Sequence, residues 1–397
     1  MTFALPLSGA HVSAGLPYLR RTMTELTSFE IYLVATPGLE APLCAEARAA
    51  GFAEAKVVDG GVAFMGGWPE VWQANLKLRG ATRVLARMAQ FRALHLAQLD
   101  KRARKLPWAE MLRVDVPVKV EAACKRSRIY HAGAAAQRIA TAIHEELGAP
   151  IADDATLRVM ARIEDDMVTI SLDTTGESLH KRGFKEAVNR APMRETMAAM
   201  FLRQCGYDGH EPVLDPMCGS GTFVIEAAEM ALGLYPGRER DFAFEQLAGF
   251  KPKAWAQLKD SAVLHTPSIQ FYGSDRDPGA IRMSRDNAER AGVTALTQFE
   301  ERTVETLQPP AGPAGLVIVN PPYGARIGNK APLMALYQSL GKSLRSRFPG
   351  WRVGIITTDA SLAKATALPF LPNAAPVLHG GLRVSLYQTA PLPPHRG

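Results

Sequence analysis

Long apolar runs are missing from this chain of 397 residues. Nothing approaches the ~20 consecutive apolar residues of a membrane-spanning helix, so no membrane contact is expected. Cysteine is scarce: Cys44, Cys124, Cys205 and Cys218 are scattered without a Cys-x-x-Cys pair or a Cys/His spacing. That argues against a disulfide scaffold and a structural zinc, predicts no bound metal, and fits a reducing compartment. Residues 1–28 lack the basic start and continuous apolar stretch of a secretory signal, being interrupted by Pro6, Ser8, Gly9 and Pro17. A flexible extension is expected there, or a true start at Met23, in a cytoplasmic enzyme of bacterial type. Internal repeats and low-complexity tracts are absent as well.

Charge of one sign is not abundant. Lys and Arg number 46 against 39 Asp and Glu, a formal net charge of +7. The excess is localised: between Arg79 and Arg128 stand thirteen Lys/Arg and four Asp/Glu, a difference of nine, so the remainder is near neutral or slightly acidic. Concentrated positive charge of this kind is the footprint of phosphate-backbone binding. With 47% hydrophobic and 21% charged residues, the composition is that of a folded protein, and the length suffices for two or three domains.

What organises the chain is Val213-Leu-Asp-Pro-Met-Cys-Gly-Ser-Gly-Thr-Phe223: a short apolar strand, a glycine-punctuated turn, and an apolar-faced helix unbroken until Gly233. Gly219 and Gly221 allow positive φ and close approach of a ligand, and the new helix offers free N–H groups at its positive end. Asp215, Pro216, Cys218, Gly219, Ser220, Gly221 and Thr222 are therefore candidate ligand residues, although two nearby glycines fit a plain strand-to-helix turn equally well. Residues 269–275 form a second strand, followed by a helix over 278–291. Asp275, with Arg276 beside it, closes that strand where ribose hydroxyls are held in open α/β sheets. Leu316–Val319 is a third, fully apolar strand that ends abruptly in Asn320-Pro-Pro-Tyr323. Pro321 and Pro322 fix the backbone and lack donors, so the Asn320 amide oxygen and the Pro321 carbonyl can both be aimed outward beside the flat ring of Tyr323.

An Asp-Pro-x-x-Gly-x-Gly loop followed by an Asn-Pro-Pro-Tyr corner, at the ends of separate strands, resembles the S-adenosylmethionine-dependent amino-methyltransferases of nucleic acids. The resemblance implies an α/β, Rossmann-like, seven-stranded class I methyltransferase domain over 177–397. It also implies S-adenosylmethionine as cofactor, held by the loop residues above with Asp275, Arg276 and Asn320. The family often carries an Asp near position 303 for the adenine amine. This chain has Thr303, so the contact falls to Thr303, Glu301 or a backbone carbonyl.

The N-terminal half reads as strand, helix, strand, strand over 29–79, a small α+β ferredoxin-like unit. Residues 72–92 read as a helix with Arg79, Arg83 and Arg87 on one face, either simply solvated or part of an RNA contact. Then come a strand over 114–122, the bend Lys125-Arg126-Ser-Arg128, a helix over 134–147, and strands over 157–164 and 167–173 joined across Asp165-Asp166. Within 80–176, this element order, the Leu-Pro-Trp108 segment and the basic bend resemble the THUMP module of RNA-modifying enzymes. Lys125, Arg126 and Arg128 join the three arginines as candidate RNA contacts. The segments Ser178-Leu-His-Lys-Arg-Gly-Phe184 and Ala191-Pro-Met-Arg-Glu-Thr-Met-Ala-Ala199 resemble the linker and first helix of THUMP-bearing guanine-N2 methyltransferases of ribosomal RNA. Read alone, the first is a basic linker whose His180, Lys181 and Arg182 would touch phosphate, and Pro192 starts the helix. Phe242, Phe244 and Phe250 are expected to pack rather than stack on bases. Further strands are expected at 299–303 and 351–359, with an antiparallel last strand at 381–387.

Methyl transfer from a sulfonium needs no metal and no covalent enzyme intermediate, because the leaving group is already activated; alignment is what a protein supplies. Cys218 as a nucleophile is set aside, since cytosine-carbon methyltransferases carry their cysteine in a Pro-Cys corner. Acceptors on Asn320 and Pro321 would hold both hydrogens of an exocyclic amine as it pyramidalises, with Tyr323 stacked on an extruded base. The expected reaction is methylation of guanine N2 in ribosomal RNA of the large subunit. Guanine in tRNA or adenine N6 is the second reading, and a non-catalytic RNA-binding assembly protein the third. Some relatives continue into a second methyltransferase unit, which is not expected here.

Overall fold

The computed structural model describes residues 28–186, 193–323, 330–372 and 375–394; Met23, Pro192 and Gly324 lie outside them. Two seven-stranded sheets carry the chain. The first comprises β1 (Phe29–Val34), β2 (Lys56–Val58), β3 (Gly61–Gly66), β4 (Arg83–Arg92), β5 (Val118–Lys125), β6 (Leu157–Glu164) and β7 (Met167–Asp173), in the order β2-β3-β1-β4-β7-β6-β5. Its helices are α1 (Glu40–Ala49), α2 (Trp68–Lys77), α3 (Leu96–Ala103), α4 (Trp108–Met111) and α5 (Ala132–Leu147). Alternation along β1 sends Ile31 and Leu33 into the core that Leu43, Val71 and Ile139 fill from the helices.

The helix expected over 72–92 is a correction. Helix α2 stops at Lys77, and residues 83–92 are a strand paired antiparallel with β1 on one side and β7 on the other. Lateral pairing satisfies the backbone and overrides a composition, Arg-Val-Leu-Ala-Arg-Met-Ala, that favours helix in isolation. A spacing of four fits a period of two as well as 3.6, so Arg83 and Arg87 still share a face. Strand β4 thereby joins the 29–79 and 80–176 segments in one sheet. The β6–β7 hairpin turns through Asp165 and Asp166, both at positive φ (52° and 63°), as a two-residue turn requires.

The second sheet comprises β8 (Val213–Asp215), β9 (Phe271–Asp275), β10 (Thr297–Glu301), β11 (Leu316–Val319), β12 (Arg352–Thr357), β13 (Val377–His379) and β14 (Leu382–Gln388), in the order β10-β9-β8-β11-β12-β14-β13. Strands β8 to β12 run parallel, whereas β14 is antiparallel to β12 and β13 to β14. Helices α6 (Glu195–Gln204), α7 (Thr222–Leu232), α8 (Pro252–Lys259), α9 (Pro278–Arg290), α10 (Lys330–Arg347) and α11 (Ala360–Ala365) complete the Rossmann-like domain. Because β8 has β9 on one side and β11 on the other, strand order reverses at its carboxyl end, which opens a crevice there. Phe242, Phe244, Trp72 and Trp255 pack ring against ring, with Phe242 and Phe244 stacked 5.2 Å apart.

Arg79 and Arg182 are the second correction. Both are buried, at 5% and 1% exposure, and neither faces solvent where RNA could reach it. Arg79 donates to Glu226 (2.9 Å), Glu229 (3.3 Å) and the Leu234 carbonyl (2.6 Å), while its own N–H is taken by Glu46. Arg182 donates to the other Glu226 oxygen (3.0 Å) and to the carbonyls of Leu179 and Arg79. Arg238 closes on Glu229 at 2.6 Å. These charges bolt the first sheet to α7. Buried guanidinium groups need partners of this kind, and the partners lie on a distant part of the chain.

Candidate active site

Three consecutive strands, β9, β8 and β11, deliver Asp275, Asp215 and Asn320 to one carboxyl edge. Between β8 and α7 the loop closes tightly. Gly219 and Gly221 take φ of +55° and +82°, and Gly221 caps α7. A Cβ on Gly221 would meet Ser284 Oγ at 3.1 Å, whereas the space beside Gly219 is open. Ser284 donates to the Gly219 carbonyl (2.9 Å) and Asn287 to that of Ser220 (3.0 Å), so α9 braces the loop from below. Asp275 accepts the N–H of Gly219 on one oxygen and that of Asp277 on the other, leaving each oxygen a second lone pair. Thr303 is exposed at the exit of β10, its hydroxyl 3.4 Å from that of Thr306, and Arg276 is exposed beside Asp275.

Lys185, from the linker, reaches Thr222 Oγ1 (2.9 Å) and the Glu195 carboxylate (2.9 Å), walling a small cleft at the start of α7 with Phe184 and Ser220. Helix α6 begins at Glu195. The supporting set Lys185, Glu195, Ser284 and Asn287 was not singled out as a site in the sequence. Its only signal was position, Lys185 and Glu195 flanking the linker.

Across the crevice, Asn320 follows four buried β11 residues, and its Oδ1 is buried without a hydrogen-bond partner among the described residues. Pro321 is buried, Pro322 is exposed, and the Pro322 carbonyl faces the Tyr337 hydroxyl at 3.5 Å. The Tyr323 ring is half-buried between the two core clusters, and burial pushes its hydroxyl up to about 12, so it stays neutral. Cys218 is buried, and burial followed by the Asp215 charge raises its thiol well above the usual range, so it is no nucleophile.

A family model described as RMKL-like, methyltransferase domain, matches residues 182–372, and one described as RlmL ferredoxin-like domain matches residues 30–85. A predicted N6-adenine-specific DNA methylase from Listeria monocytogenes str. 4b F2365 is 30% identical, superposes with a TM-score of 0.83, and covers 91% of this chain and 96% of its own. The chain belongs to the RMKL-like methyltransferase family. Another solved structure, SMU.472 complexed with SAH, is 25% identical with a TM-score of 0.83 over 94% of this chain and 99% of that one. The curated relative named ribosomal RNA large subunit methyltransferase K/L, from Vibrio campbellii, is 33% identical over 83% of this chain. The chain spans about half of that relative, 49% of its length.

For an RMKL-like methyltransferase, the donor set fits S-adenosylmethionine: a carboxylate with spare lone pairs, an open glycine turn at a helix start, and an acceptor that no described residue satisfies. Among the described residues no helix is long and apolar enough to cross a membrane, and no cluster could hold a metal ion. The basic candidates scatter. Arg83 bonds Asp173 at 2.5 Å, and Arg87 pairs with Glu30 while covering the Tyr32 ring. Lys181 is exposed and pairs with Glu177; His180 is half-buried, and burial, reinforced by Arg194, Arg182 and Lys181, lowers it to about 4. His180 is therefore neutral at pH 7 and adds no charge toward phosphate. Lys125, Arg126 and Arg128 are exposed together at the far edge of the first sheet.

Asp215 is buried, and burial pushes its carboxyl up to about 8, with Asp275 adding to the rise and the Met217 N–H opposing it. A group raised in the folded state contributes most stability below its unfolded value and loses it as pH rises through the folded one. Thermal unfolding of the wild type is expected to fall between about pH 4 and pH 8 more steeply than that of Asp215→Asn. Parallel slopes for the two proteins would contradict a protonated Asp215.

Proposed function

We propose that this chain moves a methyl group from S-adenosylmethionine to the exocyclic N2 amine of a guanine in RNA, ribosomal RNA of the large subunit, in a bacterial-type cytoplasm. One observation carries the reading: Asn320 Oδ1, a buried acceptor without a partner among the described residues, at the carboxyl edge of β11. A buried acceptor left empty costs free energy, so an amine that fills it gains what the fold gives up. The name of the Vibrio relative supports the choice of large-subunit RNA.

Asp275 would hold the ribose hydroxyls, the α7 start with Pro216 and Gly219–Thr222 the carboxylate, and Arg276 and Thr303 would border the adenine. When bound, S-adenosylmethionine supplies a methyl group that needs no further activation. Asn320 Oδ1 and the Pro321 carbonyl accept the two amine hydrogens, which localises the nitrogen lone pair and favours its pyramidal form. The neutral Tyr323 ring, anchored between two cores, stacks on the extruded base and offsets about 1–3 kcal/mol of its unstacking. As the nitrogen becomes cationic, its surplus proton is shared toward Asn320 Oδ1 until water takes it.

The test is product identity. Wild-type protein, methyl-labelled S-adenosylmethionine and unmodified ribosomal RNA, tRNA or DNA are incubated, and the nucleosides are resolved by mass spectrometry. N2-methylguanosine in large-subunit RNA is expected. N6-methyladenosine, or N6-methyldeoxyadenosine in the DNA, the product suggested by the name of the Listeria structure, or label confined to tRNA, would sink the proposal.

A further inference from the structure

The far edge of the first sheet is built more carefully than its exposure requires. The exit of β5, the β6–β7 turn and the exit of β4 are fastened together there. Arg128 N donates to Asp166 Oδ1 (2.8 Å), Asp166 N to Ser127 Oγ (3.0 Å), and Ala93 N to the Asp166 carbonyl (3.0 Å). Arg126 sits at φ +48°, a conformation that side chains rarely adopt, and its guanidinium forks onto both oxygens of Asp165 at 2.9 and 2.8 Å. Backbone held in such a region persists where the surroundings over-determine it, commonly at functional sites. Lys125 is occupied by Glu164.

What the fastening leaves over is chemically specific. Arg92 and Arg128, with side chains 67% and 71% exposed, share the single Asp166 carboxylate at 4.0 Å each. Tyr130, two residues beyond Arg128 in the chain, is 77% exposed, its ring 5.0 Å from that of His131. An exposed aromatic face beside under-compensated guanidinium groups matches a nucleotide, with its base on the ring and its phosphates on the cations. A duplex hides its base faces in the stack, so the matching occupant is unpaired RNA.

We propose that this rim is a second RNA site, which stacks an unpaired base on Tyr130 and holds the neighbouring phosphates with Arg92 and Arg128. The inference rests on the RNA reading above but uses none of its catalytic residues. Strand β4 starts beside the joint to α7 and ends at the rim. Its ten residues, at about 3.3 Å each, put the rim roughly 30 Å from that joint. The rim therefore holds a part of the RNA remote from the target base.

Binding of the full-length protein to a fluorescent unpaired 12-mer and to the same strand in duplex tests this without methyl transfer. Tyr130→Ala is expected to weaken single-strand binding roughly 5- to 150-fold, with Tyr130→Phe retaining it. Arg92→Gln with Arg128→Gln should flatten the log–log salt dependence by about 1.4, the share of two phosphates on a single strand. Equal affinity for duplex and single strand, or Tyr130→Ala binding like wild type, would overturn the proposal; so would a Tyr130→Ala defect confined to association with another protein. If no N2-methylguanosine forms yet Tyr130 governs binding, the catalytic reading falls and the rim stands. Methylation with a Tyr130→Ala that binds like wild type removes the rim alone.

Discussion

Asn320→Ala should lose roughly 10²- to 10³-fold in kcat and be no less stable than the wild type. The two halves of that expectation come from one atom. Oδ1 of Asn320 is buried and makes no hydrogen bond with the described residues, so the fold bears its desolvation, about 1–3 kcal/mol, without return. Alanine removes the burden. It also removes the acceptor that aligns the amine, and that interaction tightens only as the nitrogen pyramidalises, so the loss falls on kcat rather than KM. Single-turnover kinetics together with thermal unfolding check both halves. A kcat within a few-fold of wild type, or a lost activity that merely tracks a lowered melting point, would show that Asn320 is structural.

The other large effect is expected at the joint. Arg79→Ala should cost about 3–5 kcal/mol in urea unfolding, because it strips a partner from two carboxylates that cannot reach water. Glu226 and Glu229 are 1% and 0% exposed. Burial pushes Glu226 up, but Arg182 and Arg79 together outweigh it and hold its pKa below the ordinary value; Glu229, burdened by burial and by Glu226, is pushed above it. The stabilising share of Glu226 is thus present above the ordinary glutamate value and is lost as pH falls through its folded one. That of Glu229 runs the other way, being lost as pH rises. Arg79→Ala should leave RNA binding per folded molecule unchanged, in contrast to Arg128→Gln. A loss under 1 kcal/mol would mean that Arg182 and Arg238 suffice.

The catalytic half was legible because its signals are local. A glycine pair after a two-residue apolar run, a carboxylate closing the next strand and two prolines ending the third each fix the chain within a few residues. The topology of β8, β9 and β11 then brings these corners to one edge. What misled were signals shared by two structures. Arginines four apart satisfy helix and strand alike, and the alanine, methionine and glutamine of β4 favour helix until β1 and β7 bracket it. Arg79 and Arg182 look like any other members of a basic stretch. Their partners on α7 lie 147 and 44 residues away along the chain, a relation that no spacing rule reveals. Conversely, Tyr130 passed unremarked since one tyrosine after a basic bend is ordinary until its exposure is known.

The shared strand also limits how the N-terminal half can be taken apart. A fragment ending near residue 79 would keep β1 but surrender β4, leaving a row of unpaired backbone groups along β1. The complementary fragment would carry β4 away with an equally bare flank. Open edges of this kind invite pairing with other chains. Residues 28–176 should therefore be expressed and degraded as one piece.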